Sequence, residues 1–128
     1  MWKVQLFELD YGKEEIDALK EVFDSKWITM GEKTKLFEEK FSEFLGNGVR
    51  SIAVSSGTSA LHIALLALGI GAGDEVIVPA LTFVADVNVV LMVGAKPVLA
   101  DCENWDNWNV SAKSIEKVIT QKTKAVII

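Results

Sequence analysis

Residues 51–79 read SIAVSSGTSALHIALLALGIGAGDEVIVP. A short β-prone run, Ser51–Val54, is followed by a small-residue turn, Ser55–Ser59. Ala60–Leu68 then reads as a helix that is apolar nearly all round and ends at Gly69. Gly71 and Gly73 make a loop, and Glu75–Val78 is a continuous apolar strand stopped by Pro79. The same alternation continues downstream. Thr82 caps a helix from Phe83 to about Val93, closed by Gly94. Lys96–Ala100 is a strand, Asp101–Asn109 a polar loop holding Trp105 and Trp108, and Ser111 caps a helix carrying Ile115, Val118 and Ile119. Ala125–Ile128 opens a further strand. Strands alternating with helices predict an α/β domain, and apolar strands without a polar face predict a largely parallel sheet flanked by helices.

Upstream the grammar differs. Ile16, Leu19, Val22 and Phe23 share one face of a helix over Lys13–Phe23, with Glu14 and Glu15 in its first turn, where the helix dipole favours negative charge. Ser25–Gly31 is a break containing Trp27. Phe37, Phe41, Phe44 and Leu45 then mark a second helix ended by Gly46. The charges among Lys33, Lys35, Glu38, Glu39 and Lys40 read as a solvated face. The organisation predicted is a helical segment over residues 1–48 and an α/β domain over 49–128.

Composition excludes several classes. Half of the 128 residues are hydrophobic and 24% are charged, which suits a chain that buries a core. The net charge of −5, with basic residues scattered among acidic ones, argues against a nucleic-acid partner. Met1–Asp10 lacks the pattern of a secretory leader, and Ala60–Ile70 is too short to cross a bilayer, so no membrane partner and a cytoplasmic location are expected. The single cysteine, Cys102, allows no internal disulfide and reads either as a reactive thiol or as a small residue after a strand.

Three features bear on chemistry. Ser55–Ser59 lies where a strand gives way to a helix, and free N–H groups with the dipole's positive end make such a place an anion cup. Gly57 lets the backbone approach an anion, and Ser56, Thr58 and Ser59 offer hydroxyls. The same residues could equally serve only as helix caps. The cup is neither Gly-x-x-x-x-Gly-Lys-Ser/Thr nor Gly-x-Gly-x-x-Gly. Phe83, in Pro79–Phe83, should leave the same edge of the sheet and either stacks on a planar ligand or packs into the core. His62 reads as a packed helix histidine, and no His or Cys cluster has metal-ligand spacing.

These blocks together resemble the DegT/StrS sugar aminotransferase family. The likeness rests on Ser56-Gly57-Thr58-Ser59-Ala60-Leu61, Leu68–Val76, Thr82-Phe83 and Gly94-Ala95-Lys96-Pro97-Val98. It extends to Ser25–Gly31, Phe37-Glu38 with Phe41, Leu45-Gly46 and Lys122-Thr123-Lys124-Ala125. The resemblance implies the first part of a fold-type I large domain that binds pyridoxal 5'-phosphate. By it, Ser56, Gly57 and Thr58 bind the cofactor phosphate, Phe83 stacks on the pyridine ring, and Trp27–Gly31 lies near the active-site mouth. It implies an amino-acid donor, a nucleotide-linked keto-sugar acceptor and a homo-oligomer. Lys26 stands where the family often has Gly, and Asp86 where Thr or Ser is frequent.

The resemblance also places the Schiff-base lysine and the aspartate facing the pyridine nitrogen downstream of Ile128, so no catalytic residue is assigned here. The closing Ala125-Val126-Ile127-Ile128 reads as a strand inside a sheet, as expected of a truncated chain. Such a piece is expected to be inactive alone and to leave apolar residues of Ala60–Leu68 and Val84–Val93 partly uncovered. A same-family sugar dehydratase, with histidine in the lysine's place, a folded non-catalytic remnant, and an unrelated nucleotide-binding domain are the alternatives.

Overall fold

A computed structural model describes Val4 and residues 7–128. Of the opening stretch Met1–Asp10, residues 1–3, 5 and 6 lie outside the described residues. The chain divides into two compact units, one ending at Ala53 and the other running Val54–Ile128.

The first unit holds α1 (Lys13–Asp24) and α2 (Glu32–Leu45). At the start of α1 the Glu15 carboxylate accepts from the Gly12 amide at 2.6 Å, satisfying one orphan donor of the helix start. The helix closes at Ser25, and Lys26 follows with φ of 59°. That is the left-handed position after a helix end, where glycine is ordinarily used because any Cβ is strained. The residue that departs from the resembled pattern therefore also sits in the conformation that disfavours it. Between the helices, Trp27 Nε1 donates to the Met30 carbonyl at 2.9 Å. A Cβ on Gly31 would meet the Trp27 indole at 2.6 Å, so glycine there lets the ring fold over the turn. Lys33 pairs with Glu21 at 2.7 Å. Phe37 and Phe41 stack with centroids 5.8 Å apart, and no residue of α1 or α2 is buried within the unit.

The expectation of a strand over Ser51–Val54 is not met: among the described residues, these four pair with no strand. Two of their amides are taken by side chains of α2 instead. Ser51 N donates to Ser42 Oγ and Ala53 N to Glu38 Oε1, both at 2.8 Å. A backbone donor satisfied in this way has no need of a ladder. The second bond also corrects the reading of Glu38 as merely solvated, since it is half-buried and anchors the backbone.

The second unit is built on α3 (Gly57–Ala67), β1 (Glu75–Pro79), α4 (Val84–Met92), β2 (Lys96–Ala100), α5 (Ala112–Glu116) and β3 (Thr123–Val126). The three strands are parallel in the order β2-β1-β3. Val76, Ile77 and Val78 in the central strand are 0% exposed. Val76 and Val78 join Leu65 of α3 and Val89 and Val90 of α4 in one cluster. Ile77, between them, points to the other face by strand alternation. Each such aliphatic side chain contributes roughly 1.5–3 kcal/mol on burial. Ile63, Leu66, Leu68, Val84, Leu91 and Met92, on the outer sides of α3 and α4, are exposed.

Several boundaries differ from the sequence reading: α5 stops at Glu116, short of Val118 and Ile119, and β3 starts at Thr123 and ends at Val126 rather than running over Ala125–Ile128. α3 begins at Gly57, because the Ser56 hydroxyl accepts from Ser59 N at 3.1 Å and caps it, so Gly57, Thr58 and Ser59 are helical rather than turn. α4 is capped by Phe83 in extended backbone, not by Thr82, whose hydroxyl is drawn to the Asp86 carboxylate. Ser111 caps α5 as expected, accepting from Ser114 N.

Glu75 opens the dry strand and is itself buried. Its Oε1 meets Lys96 Nζ at 2.9 Å and its Oε2 accepts from Thr120 Oγ1 at 2.6 Å. One carboxylate thus holds both neighbouring strands at the point where the sheet begins. Past it, pairing with β3 slips: Glu75 faces Thr123 but Val76 faces Ala125, leaving Lys124 as a bulge. In β2, Lys96 N donates to Asp74 O at 2.9 Å. Alternation then turns the backbone of Pro97 to the outer edge, away from β1.

The Thr120 hydroxyl first, and the Lys96 ammonium second, hold the Glu75 carboxyl below its ordinary 4.5. A carboxylate depressed in the folded state adds stability above its unfolded value and loses it as pH falls through the folded value. Wild type is therefore expected to be more stable than Glu75→Gln at pH 7, with the gap closing as pH falls below 4.5; urea titrations across that range check this. Lys26→Gly should raise stability by about 0.5–1 kcal/mol through relief of left-handed strain, read by the same titration at neutral pH.

Candidate functional site

α3 runs into β1 through the short turn of residues 68–74, so its start lies toward the end of the sheet where β1 finishes. Pro79–Phe83 leaves β1 at that end, and α4 starts there too and packs against α3. Two helix N-termini are thereby brought to the carboxyl edge of a parallel sheet. This is the edge at which open α/β sheets bind ligands, because helix dipoles and loop side chains converge there.

All four residues singled out as cofactor-binding lie in this one unit. Ser56 is the N-cap of α3; Gly57 and Thr58 are its first two helical residues. Among the described residues, the Gly57 and Thr58 amides donate to no protein acceptor. Ser56 Oγ is committed to Ser59 N and also lies 3.0 Å from Ser59 Oγ, while Ser55 Oγ lies 3.2 Å from the same atom. The three hydroxyls thus lock the turn around the two free amides. A Cβ on Gly57 would meet nothing within 4 Å, so the space beside it is open to an incoming group. No lysine or arginine lies in Ser55–Ser59, so this segment's own positive field comes from the helix end.

Phe83 caps α4 and is 74% exposed, which rules out the core reading within this unit. Its ring is available to cover a planar ligand. Thr82 and Asp86, bonded across the first turn of α4, stiffen the backbone from which that ring projects. His62 is half-buried on α3, and Cys102 is a free thiol, half-buried, bridged through its backbone to Val110. Among the described residues no group of three His, Cys, Asp or Glu side chains could hold a metal ion. No described helix is long and apolar enough to cross a membrane.

In the first unit, the Trp27 turn borders a cavity of about 620 Å³, lined among others by Glu21, Ser25, Thr29 and Lys33. The sequence reading passed over a second group at the sheet end, Trp105 and Trp108, as mere loop. Their only signal in the sequence was two indoles within a polar stretch.

Residues 9–128 match the DegT/DnrJ/EryC1/StrS aminotransferase family. Among solved structures, the chain is similar to a Streptococcus pneumoniae protein described as a sugar aminotransferase, in its PMP form. The identity is 37% and the TM-score 0.82, over 91% of this chain and 29% of that one. It is similar to an aminotransferase of Psychrobacter cryohalolentis, with 39% identity and a TM-score of 0.80 over 91% of this chain and 30% of that one. It is also similar to the aminotransferase TlmJ of Streptoalloteichus hindustanus, with 34% identity and a TM-score of 0.81 over 96% of this chain and 34% of that one. The chain therefore spans about a third or less of the length of these structures.

Proposed function

The chain belongs to the DegT/DnrJ/EryC1/StrS aminotransferase family, and from that premise we propose that its protein moves an amino group from an amino acid to a keto-sugar carried on a nucleotide. The observation that carries the reading is the meeting, at one sheet edge, of a lysine-free anion cup and an exposed aromatic ring. The family depends on pyridoxal phosphate, and solved relatives are described in PLP and PMP forms. A phosphate attached to a flat heterocycle needs those two features side by side.

The residues present fit such a group. In our reading the Gly57 and Thr58 amides receive the phosphate, and Ser56 keeps them aimed by holding Ser59 N. Phe83 covers one face of the ring and keeps water from it. When bound, the cofactor supplies an electron sink for the charge left as a proton leaves the amino-acid carbon. No lysine of these residues stands in the anchoring context, so this segment binds and orients and does not move the proton. The exposed apolar sides of α3 and α4, with Leu66, Leu91 and Met92, support assembly into a homo-oligomer.

In the full-length protein, nitrogen-15 is expected to pass from labelled glutamate to a nucleotide-linked keto-hexose. Loss of a sugar hydroxyl with no nitrogen gained would point to the dehydratase instead. Phe83→Ala should leave folding unchanged, because the ring is exposed, and weaken pyridoxal phosphate binding by up to about tenfold. That is the worth of one aromatic stacking contact. Equal affinity, followed by the cofactor's absorbance, would remove Phe83 from the site.

A further inference from the structure

Between β2 and α5, residues 101–109 present two indoles to water. Trp105 is 94% exposed and Trp108 64%. Exposed apolar surface that borders a groove is a mark of a ligand-binding site. This turn is ordered. The backbone bridge from Cys102 to Val110 closes its base, and Glu103 N donates to Asn109 O at 2.9 Å. Asn104 Oδ1 accepts from the amides of Asp106 and Asn107, each at 2.8 Å. Trp108 Nε1 donates to the Trp105 carbonyl at 2.8 Å, which fixes one indole against the backbone of the other. With that N–H engaged, Trp108 offers its faces and not its polar tip.

A cavity of about 490 Å³ lies against both rings, bordered by Leu81, Asp101, Glu103 and Asn104. Its walls combine an apolar aromatic face with the carboxylates of Asp101 and Glu103 at the rim. A polyhydroxylated ring has the complementary surface: its C–H face packs on an indole, and its hydroxyls donate to the carboxylates. Phosphate is disfavoured, since residues 101–109 contain Asp101, Glu103 and Asp106 and no lysine or arginine. Leu81 belongs to the Pro79–Phe83 segment, so the cavity adjoins the edge that carries Phe83.

We propose that the Trp105–Trp108 turn binds the sugar ring of the substrate, stacking it on the indoles while Asp101 and Glu103 accept its hydroxyls. The proposal rests on the sugar aminotransferase reading above.

The test is calorimetric titration of the full-length protein with UDP-glucose and TDP-glucose, using UDP and TDP as sugar-free controls. At least one sugar nucleotide should bind more tightly than its own diphosphate. Trp105→Ala should weaken that binding about tenfold, leave the diphosphate and pyridoxal phosphate affinities unchanged, and be largely rescued by Trp105→Phe. Equal affinity in wild type and Trp105→Ala would overturn the proposal, as would the absence of any sugar-dependent gain with both nucleotides. If either occurs while nitrogen transfer persists, the sugar subsite alone fails. If nitrogen transfer fails while the sugar-dependent gain and its loss in Trp105→Ala remain, the aminotransferase reading fails and the sugar subsite stands.

Discussion

β1 loses all contact with water from Val76 to Val78, and a strand in that position must have both rows of its backbone groups paired. Both partners are parallel, so neither is aligned by a tight turn; each is reached by a long crossover. Register therefore has to be set by something other than loop geometry. Glu75 meets that need at the first residue of the strand, gripping Lys96 of β2 with one oxygen and Thr120, just ahead of β3, with the other. A buried carboxylate is tolerable only with such partners. With the start fixed, Val76 and Val78 fall where Leu65, Val89 and Val90 can close over them. The exit of β1 at Pro79, and with it Phe83, follows from the same alignment.

The strand thus has two ends with different duties. Its amino end carries the charged group that aligns the sheet, and its carboxyl end carries no buried charge. There the polar groups are helix amides left unpaired at Gly57 and Thr58. Unpaired amides at an exposed helix start are solvated in the free chain, and an anion can replace that water at little structural change. With alignment carried by Glu75 at one end, the other end of the strand stays free of buried charge.

Much of this was legible in the sequence. Gly46, Gly69 and Gly94 ended helices as read, and each adopts positive φ, a conformation that glycine alone enters freely. The run Glu75–Val78 declared a doubly covered strand because every position was apolar after the first. Ser51–Val54 looked equally strand-like and was not, since Ser42 and Glu38, distant in sequence, captured its amides. No local pattern reports a competitor of that kind. Thr82 failed as a cap for a related reason: Asp86, one turn on, attracted its hydroxyl. The candidate residues Ser56, Gly57, Thr58 and Phe83 are singled out by a small-residue helix start and a strand exit, with their roles supplied by the family resemblance. The polar stretch around Trp105 and Trp108 gave no comparable sign, because the turn is shaped by internal hydrogen bonds that only the folded chain reveals.

Pro97 has a bearing on how copies of this chain meet one another. It is the second residue of β2, on the outer row, and has no N–H to offer there. A foreign strand approaching that side finds the donor row interrupted, which is how natural sheets discourage runaway edge pairing. The outer row of β3 contains no proline. Of the two strands that flank β1, β2 therefore presents an interrupted row of donors and β3 an uninterrupted one.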